Sequence, residues 1–181
     1  MNKHDILQKV KEISSLYNLG RVQKSEEKLE KALIEALNLR KIIDKIDQNL
    51  KEDFDQMYSN GFYHLDYGLH SQIYNCLNLL GKYDEMLPYL EKSITYLDNN
   101  RNPEMWRMLG LLYLAQKNDL EKACNAWKKA IELNPLLLEK YSGLSIVNVY
   151  EAMKKQGKKI THVVESLDLK TGEFTIVINK E

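Results

Sequence analysis

Cysteine is nearly missing from this chain: its 181 residues include two, Cys76 and Cys124. They are distant in sequence and form no C-x-x-C pair, so both read as small, reduced, partly buried side chains rather than as a disulfide. A staple is also unnecessary, since a chain of this length can bury a core without one. Charge of one sign is missing too. The 26 basic residues balance 26 acidic ones, which leaves no basic excess to neutralise a row of phosphates, and nucleic acid is not an expected partner. No apolar run reaches the roughly 18 residues that span a bilayer. The opening "MNKHDILQKVKEIS" is charged and amphipathic, without the apolar core of a signal peptide. The expectation is a soluble, cytoplasmic protein with no membrane partner.

Residues that carry chemistry are thinly spread. The four histidines stand at positions 4, 64, 70 and 162, and the closest grouping is His64, Asp66 and His70. Its spacing matches no H-E-x-x-H or related zinc pattern, so packing and surface hydrogen bonding are the reading, with no metal and no cofactor expected. "YSGLS" (Tyr141 to Ser145) lacks the glycine spacing of a nucleophile elbow, and neither Ser142 nor Ser145 has an identifiable base. No Gly-rich phosphate loop follows a strand, and the acidic residues lie among lysines on solvated helix faces. The chain is not expected to be an enzyme.

What is present is helical periodicity. Ile6, Val10, Ile13 and Tyr17 recur at helical spacing between Asp5 and Leu19, and Gly20 stands where a left-handed cap would end that helix. Ser25 before Glu26 and Glu27 is an N-cap signal. Leu29, Leu33, Leu37, Ile43, Ile46, Leu50, Phe54 and Met57 then continue a near-helical stripe, either as one helix or as two broken near Asn38 or Asn49. "SNGFYHLDYG" (Ser59 to Gly68) reads as a turn. A helix pair follows, about Leu69 to Leu80 and about Glu85 to Leu97, broken at "GKYD" (Gly81 to Asp84). Pro103 suits the start of the next helix. After Gly157 the pattern turns from helical to alternating. Two extended runs around "KTG" (Lys170 to Gly172) then predict a β-hairpin with Gly172 in a left-handed position.

The most informative stretch is "WRMLGLLY" (Trp106 to Tyr113) followed by "ACNAWKKAIELNP" (Ala123 to Pro135). A closely crossing helix pair needs small residues at the crossing and large ones beside it, and intervals of three and four put each set on one face. Gly110, Ala123 and Ala130 meet the first need; Trp106, Tyr113 and Trp127 meet the second. Asn134 and Pro135 stop the second helix. These residues resemble the tetratricopeptide repeat, from Pro103 to Leu137, with one extra residue in the turn "KNDLEK" (Lys117 to Lys122). Tyr67 to Asn102 resembles a weaker copy, with Leu90 at the second-helix aromatic position and with His70, Tyr74 and Asp98 in place of the usual aromatic, glycine and proline. Leu138 to Gln156 begins in family register with Tyr141 and Ser145 and reads as a single terminal capping helix.

The resemblance implies a mainly α fold, an antiparallel helix-pair solenoid with a C-terminal β-hairpin. The divisions would be an N-terminal helical region (1–60), repeats with a capping helix (61–156) and the hairpin tail (157–181). The first sixty residues are either one more diverged pair or helices outside the array. The resemblance also implies a concave surface lined by first helices. That lining falls on Ser71, Asn75, Asn78 and Leu79, on Glu104, Arg107, Leu111, Leu114 and Ala115, and on Ser142, Ile146, Val149 and Tyr150. Asn75 and Asn78 would hold a peptide backbone and Arg107 a carboxylate. Asn75 and Arg107 alone approximate the clamp with which some family members hold a C-terminal carboxylate.

The hairpin's Phe174, Ile176 and Ile178 form an apolar face that must be covered, because a two-stranded hairpin alone is marginal in water. It would cover the groove's apolar end, close the last helix or pair its edge with another chain. The expected function is stoichiometric binding of a peptide or protein through the concave groove, as an adaptor or chaperone. Two alternatives stand beside it: an immunity-type inhibitor capping a toxin through a wide face that includes the hairpin, and a structural homo-oligomer formed through the hairpin edge.

Overall fold

A computed structural model describes residues 2–46, 49–52, 61–96 and 100–180, with backbone alone at 61–64 and 180. The chain is mainly helical with a C-terminal antiparallel hairpin and divides into two compact units, Met1–Ser93 and Ile94–Glu181. No described helix is long and apolar enough to cross a membrane.

In the first unit, α1 (Lys3–Gln23) starts two residues before the expected Asp5. Asn2 accepts from the Asp5 N–H at 3.0 Å while Asp5 accepts from the Asn2 N–H at 3.1 Å, a reciprocal capping box. The helix also runs past Gly20, and the left-handed cap is Lys24, φ 51°. Gly20 has a different task. A Cβ there would meet Leu29 Cγ at 2.9 Å, so the glycine lets α1 cross α2 (Glu26–Ile43) closely. Ser25 caps α2 as expected, accepting from the Lys28 N–H. Leu29, Ala32, Leu33, Ala36, Leu39 and Ile43 are buried along it, while Leu37 is half-buried. The helix stops at Ile43 rather than near Asn38 or Asn49. Phe54 and Met57 lie outside the described residues.

The expected turn at 59–68 is corrected over most of its length, because α3 (Gly61–Leu79) is already helical there; Ser59 and Asn60 lie outside the described residues. Leu65, Leu69, Ile73 and Leu77, four apart, are all buried, and that period prevails over the glycine at 68. Gly81, at φ 67°, ends the segment. A 3-10 turn (Tyr83–Glu85) leads into α4 (Leu87–Ser93), which is shorter than expected. Pro88, which lacks an N–H, falls in its first turn, where proline is tolerated. Helix α1 packs along α2, α2 along α3 and α3 along α4. Arg40 of α2 pairs with Asp66 of α3 and with Asp44.

In the second unit, Asn102 caps α5 (Pro103–Lys117), with Pro103 in its first turn. Asn118, φ 50°, ends it, and Asp119 caps α6 (Leu120–Leu133) by accepting from Lys122 N–H at 2.9 Å. A Cβ on Gly110 would fall on the Trp127 indole, so the two helices cross where the sequence places the small residue. The single terminal helix expected over 138–156 is three pieces: α7 (Leu137–Lys140), a 3-10 turn (Ser142–Ser145) and α8 (Ile146–Lys155). Tyr141 is extended, and a Cβ on Gly143 would lie 2.9 Å from the Phe174 carbonyl oxygen. The break thus admits the hairpin.

Strands β1 (Ile160–Leu167) and β2 (Phe174–Lys180) pair antiparallel, Val163 opposite Val177 and Leu167 opposite Phe174, with a bulge between Val164 and Ser166. Asp168 accepts from the Lys170 and Thr171 N–H groups at 2.8 and 3.1 Å, and Gly172 takes φ 78°, as the turn chemistry predicts.

The crossing generates a test. Alanine ordinarily stabilises a helix by about 1 kcal/mol over glycine, but at Gly110 the methyl would displace a buried indole, an overpacking that costs about 1–3 kcal/mol. Gly110→Ala is therefore expected to be destabilising in urea denaturation, whereas the same change at Gly68, where a Cβ meets nothing within 4 Å, should be neutral or stabilising.

Candidate partner-binding surfaces

The lining expected in the second unit is largely taken up by the chain itself. Leu111 and Leu114 are in the core, at 0% and 2% exposure, and Tyr150 is buried with the Lys154 ammonium 5.8 Å from its ring. Arg107 is 7% exposed. Its Nε donates to Glu104 at 2.6 Å, its guanidinium lies 4.2 Å over the Tyr141 ring, and its backbone carbonyl accepts from Trp127 Nε1 at 3.1 Å. Glu104 also receives Lys140 at 3.4 Å. The place a side chain on Gly172 would take is filled by the Arg107 guanidinium. Glycine is needed there twice over, for its φ and for that contact. Phe174 then stacks on Trp127, ring centroids 4.5 Å apart and planes 11° from parallel. Phe174, at the start of the hairpin's apolar face, is thus covered by the repeat and by the break before α8, while Ile176 and Ile178 stay half-buried.

This contact between an arginine in α5 and a turn glycine after β1 has no sequence period to announce it. The Arg107 Nη1 is buried without a hydrogen-bond partner among the described residues, and stacking on Tyr141 offsets part of that cost. Among the other expected lining residues of this unit, Ala115 and Ser142 are exposed, Ile146 is half-buried and Val149 is 47% exposed.

The first unit keeps its expected residues at the surface. Asn75 and Asn78 are half-buried, and neither side-chain amide has a partner among the described residues. Ser71 is half-buried and Leu79 is 45% exposed. Spacings of three and four put Ser71, Asn75, Asn78 and Leu79 on one face of α3. The opposite side of α3 carries the core, and Gln72, on the flank beside Leu79, donates to Ser14 of α1.

Of the grouping weighed for a metal, the His64 side chain lies outside the described residues, Asp66 pairs with Arg40, and His70 Nδ1 is 2.9 Å from the Asp66 carbonyl oxygen. Burial holds the His70 imidazole below its usual pKa, and the nearby Arg40 and Lys92 act in the same direction, against the hydrogen bond and charge of Asp66. Burial raises the Glu104 carboxyl, but its hydrogen bond to Arg107 and the charges of Arg107 and Lys140 prevail and hold it below its usual value. Burial pushes the Cys76 and Cys124 thiols up to about 12, which suits inert core side chains.

The fold and these surfaces define a mainly helical protein in which the helix pair α5–α6 carries a docked C-terminal hairpin. Residues 103–135 match the family model of the tetratricopeptide repeat, and that segment is a repeat of this type. Comparison with curated proteins and with solved structures returns no match. The repeat suggests a protein–protein interaction module, of a kind that is generally not catalytic.

Two outcomes are expected. Gly172→Ala should loosen the hairpin by about 1–3 kcal/mol through backbone strain and displaced Arg107, read as a lower denaturation midpoint with Trp127 fluorescence as reporter. The stability contributed by neutral His70 is present above about pH 6.5, the unfolded imidazole value, and is lost as pH falls below it. Melting temperatures should therefore drop through that window in the parent chain, and less steeply in His70→Gln.

Proposed function

We propose that the chain is a non-enzymatic module that holds a protein or peptide partner stoichiometrically, and that the α3 face bearing Ser71, Asn75, Asn78 and Leu79 is its principal contact. The observation that supports this most is the contrast between equivalent positions. Arg107, Leu111 and Leu114 are consumed inside the second unit, whereas no partner holds the half-buried Asn75 and Asn78 side-chain amides among the described residues. An amide that is half-buried and unpaired loses little on leaving water if a peptide backbone replaces that water. Leu79 beside them supplies apolar area. Adaptor or chaperone use follows from such a surface, since it needs no chemistry beyond binding. The close crossing of α1 and α2 at Gly20, and their packing onto α3, support reading the first sixty residues as one more diverged repeat.

A second reading is an inhibitor that caps a folded partner with a wide face including the hairpin. Val163 and Val177, directly opposite one another, are 54% and 40% exposed on the hairpin, and that pair favours it.

The test is capture of partners by the tagged full-length chain from its native host, with stoichiometry read by native mass spectrometry. Asn75→Ala with Asn78→Ala is expected to weaken a stoichiometric partner by about tenfold or more, from two hydrogen bonds of about 1 kcal/mol each. Val163→Glu, on β1, should leave it bound. The reverse pattern would transfer the site to the hairpin, and retention by the asparagine pair and by Val163→Glu alike would reject both surfaces.

A further inference from the structure

Beside β2 runs a groove of about 380 Å³ that neither reading above uses. One wall is β2 itself, from Phe174 to Ile176; the other is Ile146 and Val149 of α8, with the Ser142–Ser145 turn at one end. Among the described residues no charged side chain lines it. Its β2 wall is also a free sheet edge: among the described residues, Thr175 to Asn179 make no backbone bond except to β1. The two edges of the hairpin differ. Strand β1 is blunted by the bulge at Glu165 and by Lys158 and Lys159 just before it, the devices that keep an edge from pairing. Strand β2 carries no proline or bulge, and its stretch "FTIVIN" from Phe174 to Asn179 is uncharged, with Glu173 just before it and Lys180 at its end in the sequence. An edge left open next to an apolar shelf suits an added strand.

We infer that β2 takes up an extended segment of a protein partner as a third strand, with alternate β-branched or apolar side chains of that segment resting on Ile146 and Val149. This rests on the protein-binding reading and adds a second contact to it. The uncharged walls select an uncharged segment, because a charge entering the groove would lose water and find no counter-charge. A second copy of this chain is a poor occupant. Its own β2 would have to lay the Phe174 side of the strand on Ile146 and Val149, yet Phe174 of that copy is already stacked on its own Trp127. A partner strand with both faces free has no such conflict.

The test uses the full chain and a fluorescein-labelled heptapeptide of alternating threonine and valine, read by fluorescence anisotropy, beside the same peptide with alternate amides N-methylated. The parent peptide is expected to bind saturably. The N-methylated peptide, which keeps every side chain but loses the edge hydrogen bonds, should bind at least about tenfold more weakly. Val149→Glu, at an exposed position, should weaken the parent peptide similarly while leaving the circular-dichroism melt unchanged. Equal binding of the two peptides, no saturable binding of the parent, or displacement of the peptide by self-association in light scattering would each overturn the inference. A host partner lost on Asn75→Ala with Asn78→Ala but kept by Val149→Glu would overturn it too, and would leave the protein-binding reading standing.

Discussion

Trp127 and Gly110 form the contact on which the second unit depends. The indole occupies the place a side chain at 110 would take, so Trp127 of α6 packs directly on the α5 backbone. Its Nε1 donates to the Arg107 carbonyl, which satisfies the one polar atom that burial would otherwise strand. The other face of the ring receives Phe174. One aromatic side chain therefore sets a helix crossing on one side and seats a β-hairpin on the other. Cutting it back would remove both, and losses of this type are the largest that core substitutions produce, about 3–5 kcal/mol.

From that contact the allocation of surface follows. Once Phe174 lies on Trp127, the turn before it falls over Arg107, and Gly172 must be glycine for the guanidinium to fit. Arg107, Glu104, Lys140 and Tyr141 then close into an ion-pair and stacking cluster in which the guanidinium is buried while Lys140 stays in solvent. The arginine that a repeat of this type would be expected to offer to a carboxylate is already paired and covered. In the first unit nothing comparable is docked on the Asn75 and Asn78 amides among the described residues, which is why the functional reading moves to α3.

The sequence made some of this legible and hid the rest for physical reasons. Three- and four-residue intervals around Trp106, Gly110 and Trp127 are local, so the crossing could be anticipated, as could the Ser25 and Pro103 helix starts and the Gly172 turn. Gly20 was misread as a cap because a glycine after an apolar stripe signals either an ending or a close crossing. The choice depends on Leu29, nine positions on. Residues 61–68 were misread as a turn because Gly68 and the aromatics masked the four-residue period that begins at Leu65. The break at Tyr141 and Gly143 has its cause in Phe174, three decades of sequence away. For the candidate surface, Ser71, Asn75 and Asn78 are half-buried, while Arg107, Leu111, Leu114 and Tyr150 are buried by tertiary packing that local pattern does not encode.

The central claim is that the hairpin is an integral part of the repeat unit rather than an appended tail. Native-state hydrogen exchange addresses it directly, comparing the Trp127 indole N–H with the ladder amides of β1 and β2. If Phe174 on Trp127 holds the hairpin in place, the indole proton and the central ladder amides exchange through one shared opening of the same free energy. Ladder amides that exchange freely while the indole proton stays protected would show a hairpin that docks only in passing, and would return Arg107 to the surface available to a partner.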